Sequence, residues 1–177
     1  MTTHDRARPP RREDVSRHLE DLRTHTYEGA EPREARVELF RKAADLLDPV
    51  IREVLDETDA VFLEGTGEIS GNVGQEEDGG WRATWALSWP AQREATSRDG
   101  GKVPAIQVMV LFTPGFTHPH FCGTVAGMWP CQVTSEEDAR RQELIIRAIT
   151  ESELHQRILE GRWQIVPAFA DRHAPAG

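Results

Sequence analysis

The clearest rhythm in the chain lies between positions 81 and 89, where Trp81, Ala83, Trp85, Leu87 and Trp89 alternate with Arg82, Thr84, Ala86 and Ser88. A period of two puts the first set on one face of a strand and the second on the other, so the segment predicts a half-buried strand with a tryptophan-rich inner face. Indoles at this spacing are core material, and Pro90 ends the pattern. From Ile106 to Phe112 nearly every residue is apolar, which predicts a strand covered on both faces and central in its sheet. An extended pattern also begins near Ala60, with Val61, Leu63 and Ile69 among small and polar residues, while 71–80 and 92–102 read as polar loops.

Helical spacing appears on both sides of these strands. Val15, His18, Leu19 and Leu22 predict a short amphipathic helix before a turn at Tyr27-Glu28-Gly29. Pro32 suits a first helical turn, Glu31 and Glu34 suit its positive end, and Val37, Phe40, Ala44 and Leu47 form one stripe. Asp48-Pro49 predicts an interruption, with the helix restarting to about Glu57 through Val50, Ile51 and Val54. After the strands, Ser135 with Glu136, Glu137 and Asp138 is a helix start. Leu144, Ile145, Ala148 and Ile149 supply an apolar face, Thr150 and Ser152 offer a restart, and Gly161 suits a left-handed ending. Trp163, Ile165 and Val166 read as a short closing strand or an extended segment against the core. The prediction is an α+β fold: a small antiparallel sheet of three to four strands flanked by an N-terminal helix and C-terminal helices.

Length and charge narrow this further. A chain of 177 residues with five Trp and six Phe has material for one core, placed at 13–169 between a disordered basic tail at 1–12 and a disordered tail at 170–177. The net charge of −9, from 30 acidic and 21 basic residues, disfavours nucleic acid and anionic membrane as partners. The one basic cluster, Arg6, Arg8, Arg11 and Arg12, falls in the tail. Neither a spanning segment nor a secretory signal is visible, which predicts a cytoplasmic protein, and no cofactor motif appears. Cys122 and Cys131, nine positions apart, read as free thiols.

Candidate chemistry concentrates in 112–133. The run Phe112-Thr113-Pro114-Gly115-Phe116-Thr117-His118-Pro119-His120-Phe121 leaves a buried strand and enters a turn holding two close histidines. It supports three readings. In the plainest, the prolines fix a structural turn and the imidazoles bond nearby carbonyls. In a second, His118 and His120, two apart on extended backbone, share a metal in a metal-dependent enzyme, although no third ligand follows at short spacing.

The third reading is a resemblance. Phe112-Thr113, Phe116 and His118-Pro119-His120, then Gly123-Thr124-Val125-Ala126, Trp129-Pro130 and the helix after Ser135 resemble, in order, the strand, His-Pro-Asn turn, nucleophile loop, Trp-Pro and following helix of ubiquitin-conjugating enzymes. The element order agrees over 32–159, and the residue match covers 112–133. His120 stands in place of the asparagine, the turn is shorter, and Pro104 is the only trace of the paired prolines before the strand. Ala126 stands where the family keeps its thioester cysteine, and a methyl group cannot form a thioester.

The resemblance therefore implies a member of the superfamily without the catalytic cysteine: a noncatalytic interaction module. It would bind through His118, Pro119, His120 and Trp129, with a ubiquitin-like protein or its activating enzyme as partner. The enzymatic alternative is a conjugating enzyme that uses Cys131, with His118 or His120 lowering the thiol's pKa.

Overall fold

The computed structural model describes residues 12–170. Two helices, α1 (Arg12–Thr24) and α2 (Arg33–Phe62), lead into strands β1 (Glu68–Gln75) and β2 (Trp81–Ser88). After α3 (Pro90–Glu94) come β3 (Ile106–Phe112), β4 (His120–Cys122) and β5 (Trp129–Pro130). The helices α4 (Glu136–Arg141) and α5 (Glu143–Gly161), a 3-10 turn at Trp163–Ile165 and α6 (Pro167–Ala170) complete the described chain. The strands form one antiparallel meander in the order β1-β2-β3-β4-β5. The fold is α+β, with five strands where three to four were predicted, because β4 and β5 are only three and two residues long and Pro130 hides the second from any propensity argument. Apart from Arg12 and Ala170, the predicted tails lie outside the described residues.

The helices α2 and α5 pack on each other and on one face of the sheet. The predicted inner face of β2 holds: Ala83, Trp85, Leu87 and Trp89 are buried with Val108, Val110 and Phe112 of β3 against Phe40, Leu47, Ile51 and Leu55 of α2. Two indoles also satisfy their N–H groups, Trp85 Nε1 to Asp48 Oδ1 at 2.8 Å and Trp89 Nε1 to the Ile165 carbonyl at 2.5 Å. β3 is central as predicted; on its outer face Met109 is buried, while Gln107 and Leu111, with Thr84 and Ala86 of β2, remain partly open.

Pro49 does not interrupt α2, which runs 30 residues through it. A proline inside a helix costs about 3 kcal/mol. Burial of Leu47, Val50, Ile51, Val54 and Leu55 on one stripe outweighs that. The carboxylate of Asp48 meanwhile accepts from Arg52 Nε at 2.9 Å as well as from Trp85. The helix reaches Phe62, so the extended pattern starting near Ala60 is overturned, and β1 takes up half of the loop expected at 71–80. Within 92–102, α3 turns the buried Gln92 side chain onto the Val103 carbonyl at 2.5 Å.

At the C-terminal end, α5 is continuous past Thr150 and Ser152. Arg162, rather than Gly161, takes the positive φ at the helix end, 67°, with an extended ψ of 167°. Gly161 is small for another reason: a Cβ there would stand 3.0 Å from Val103 Cγ2 and 3.1 Å from Ile165 Cδ1. The expected closing strand is the 3-10 turn. Ser135 caps α4 as predicted, its Oγ accepting from Asp138 N at 3.1 Å. No described helix is long and apolar enough to cross a membrane.

The first helix departs most from its sequence pattern. Val15, Leu19 and Leu22 are 48%, 58% and 45% exposed, while Asp14 and Asp21 are buried, so α1 faces the protein with its polar side.

Replacing Trp85 by alanine removes a buried indole and its bond to Asp48. Urea denaturation is expected to show a loss of about 3–5 kcal/mol, and a loss under about 1 kcal/mol would show that the inner face of β2 is not the core.

Candidate functional site

The turn 113–119 between β3 and β4 is held from above by the first turns of α2. Arg33 donates to the Phe112 and Thr113 carbonyls at 3.2 and 3.3 Å, and its guanidinium lies 3.7 Å from the centroid of the Phe112 ring. Arg36 donates to the Thr117 carbonyl at 3.1 Å. Beyond the turn, His120 pairs with Leu111 on one side and Pro130 on the other, and Cys131 N–H donates to the Pro119 carbonyl at 3.0 Å. Pro119 is buried, consistent with a rigid pivot.

His118 and His120 do turn the same way, as their spacing suggested, with ring centroids 4.5 Å apart. A third imidazole joins them. His18 of α1 lies 4.3 Å from His118 and 6.2 Å from His120, both contacts edge to face. On its other side His120 meets Phe116 at 4.7 Å. His118 Nδ1 pairs with Thr117 Oγ1 at 2.9 Å. One nitrogen of each ring, Nδ1 of His18, Nε2 of His118 and Nδ1 of His120, is buried without a hydrogen-bond partner.

Burial disfavours the charged ring at all three positions. It drives His118 down to about 4, helped by repulsion from His120 and His18 and opposed by Asp21. His120 is lowered by burial and by His18, and His18 by burial against the pull of Asp21. Among the described residues no group of three or more His, Cys, Asp or Glu side chains is placed to hold a metal ion.

Downstream of β4 the chain makes a second turn, 123–128, and a buried ion pair fixes it. Glu153 and Arg157, one helical turn apart on α5, have side chains 0% and 1% exposed and meet at 2.6 Å. Glu153 Oε1 accepts from Thr124 N, Val125 N and Thr124 Oγ1 at 2.7, 3.1 and 2.8 Å. Arg157 donates to Thr124 Oγ1 at 2.9 Å and to the Ala105 carbonyl at 3.2 Å. Gly123 is required by this arrangement, since a Cβ there would lie 2.6 Å from Glu153 Oε1. The turn presents exposed Val125 and Met128, while Ala126 tucks partly into the core.

Both thiols are buried and unpaired. Cys131 is fully enclosed, and burial followed by the nearby Glu28 pushes its thiol far up rather than down. Cys122 is also raised, first by burial. Neither sits in the electropositive, accessible setting of a nucleophilic thiolate. The expectation that His118 or His120 would lower the pKa of Cys131 is therefore corrected. Of the predicted binding residues, His118 and Pro119 are buried, and His120 and Trp129 are half-buried, Trp129 packing on the core. The exposed apolar side chains around them are Phe116, Val125 and Met128.

Sequence reasoning placed His18 only on the face of the first helix, not at the site, and did not find Arg33, Arg36, Glu153 or Arg157. Glu153-x-x-x-Arg157 has the spacing of an ordinary surface pair, and only its place opposite a glycine-led turn distinguishes it.

Two outcomes follow from this geometry. Glu153→Ala strands the Arg157 charge in the interior, and chemical denaturation is expected to register about 3–5 kcal/mol of destabilisation. A smaller loss for the double change Glu153→Ala with Arg157→Met would confirm that the unpaired charge is the cause. Thiol titration with a chromogenic disulfide at pH 8 should leave both cysteines of the native protein unmodified and count two after denaturation; rapid native labelling of Cys131 would contradict its enclosure. Set against protein-family descriptions, curated proteins and solved structures, the chain has no match.

Proposed function

We propose that the chain is a noncatalytic protein-interaction module of the ubiquitin-conjugating type, binding a ubiquitin-like protein or its activating enzyme without forming a covalent bond. The observation that carries this reading is the turn 123–128. It follows His118-Pro119 in the order that the resemblance requires and is fixed by the carboxylate of Glu153. At the place of the nucleophile it carries the methyl of Ala126, while Val125 and Met128 point outward. A turn held this rigidly loses little conformational entropy on binding, so apolar contacts on it convert efficiently into affinity. The element order, helix, antiparallel meander, helices, supports the same reading. So does the partly open outer face of β2 and β3, which leaves a second surface for contact. The conjugating-enzyme alternative through Cys131 has no accessible sulfur to support it.

The test is incubation with a ubiquitin-like protein, its activating enzyme and ATP, followed by non-reducing electrophoresis and by titration calorimetry. The expected result is measurable noncovalent binding with no reductant-sensitive adduct. The double variant Val125→Asp, Met128→Asp should weaken that binding at least about tenfold, the equivalent of about 1.4 kcal/mol, with an unchanged melting temperature. An adduct, or binding indifferent to the double variant, would reject the reading.

A further inference from the structure

We propose that docking of α1 on the rest of the fold is gated by pH, through the contact of His18 with His118 and His120. The inference stands on how α1 is held. Its apolar residues Val15, Leu19 and Leu22 face outward, and among the described elements none packs extensively on its backbone. What attaches it is a set of polar side chains. Arg17 bridges Glu28 at 2.5 Å and Asp138 at 3.3 Å, and Asp14 receives Arg141 at 3.1 Å. Asp21 takes Thr26 Oγ1, Glu28 N and Gln132 Nε2 at 2.9 to 3.0 Å. A further contact is the imidazole cluster, where one ring from α1 rests against His118 of the turn and His120 of β4 with a buried, unpartnered nitrogen on each. With little apolar burial to hold α1, these polar contacts decide whether it stays.

Neutral imidazoles can sit edge to face, whereas protonated ones repel and demand solvation. The groups facing the cluster from each packed element set the balance. Asp21 on α1 attracts a charged ring. Arg36 on α2, holding the carbonyl next to His118, brings a positive charge to the same turn. After β5, Gln132 is neutral, while Glu28 of the turn after α1 and Asp138 of α4 bind Arg17.

The sign follows from linkage. A ring whose pKa is lower with α1 docked favours docking at neutral pH and loses that contribution as pH falls; on undocking, His118 sheds the repulsion of His18 while His120 remains beside it on the same turn. His18 and His120 shift in the same direction. Glu28, raised by burial, acts oppositely and favours docking as pH falls. Asp138 would be raised by burial, but bonds from Thr134 and the charge of Arg17 bring it to about 2, so its loss lies below the window. Between pH 7.5 and 5 only the imidazoles push α1 off.

Hydrogen exchange of the full chain, corrected for intrinsic rates, reads this directly. Protection of α1 amides should fall between pH 7.5 and 5, while α2 and β3 amides keep theirs. In the triple variant His18→Gln, His118→Asn, His120→Asn the fall should vanish. Should that variant not fold, His18→Gln, made on α1 itself, must reduce the fall. Constant α1 protection across the interval in the natural sequence overturns the proposal. So does an undiminished fall in the variant that folds.

Discussion

Glu153 and Arg157 place opposite charges where water does not reach. Isolated, either would cost several kcal/mol to bury; together they are tolerable because nearly every donor and acceptor in reach is used. The carboxylate closes on Arg157, Thr124 and Val125, and the guanidinium on Thr124 and Ala105, so the pair spans α5, the approach to β3 and the turn after β4. That geometry fixes where the turn lies relative to the sheet. The exclusion of a side chain at Gly123, the inward lean of Ala126 and the outward display of Val125 and Met128 all follow from it. Hydrophobic packing makes the sheet and its helices cohere, but a polar constraint shapes the surface read here as functional.

The same division recurs at α1. Most helices of globular proteins bury an apolar stripe, and α2 does so along eight positions. In α1 the apolar stripe lies in solvent, and the carboxylates of Asp14 and Asp21 take the inner side. Its attachment is accordingly made of ion pairs, hydrogen bonds and imidazole contacts, interactions that respond to salt and proton concentration where a hydrophobic seam would not. The molecule thus joins a core insensitive to those conditions to a first helix that is sensitive to them.

How much of this was legible in the sequence depends on whether one local force dominated. The inner face of β2, the central position of β3 and the Ser135 cap could be read because period, apolar content and capping chemistry each act within a few residues. Pro49 misled because its local cost is overridden by burial spread along five neighbours of α2. β5 was missed because two residues, one a proline, are made a strand by the partner they meet. For α1 the stripe itself was real, but periodicity reports that a helix has an apolar side and not which way that side faces. At the site, the pair His118 and His120 was visible as a motif, whereas His18 reaches it from about a hundred positions upstream, and the burial of Glu153 and Arg157 is a property of the assembled core.

The meander also has two unlike borders. β5 ends the sheet with two residues, one of them a proline, which lacks the N–H a further strand would need. β1 ends it with eight residues that pair with β2 alone and hold few bulky side chains. Extension of the sheet by another chain is therefore directional: the growing ladder would have to start beside 68–75, on the flank remote from the histidines, and would leave the turn after β4 uncovered.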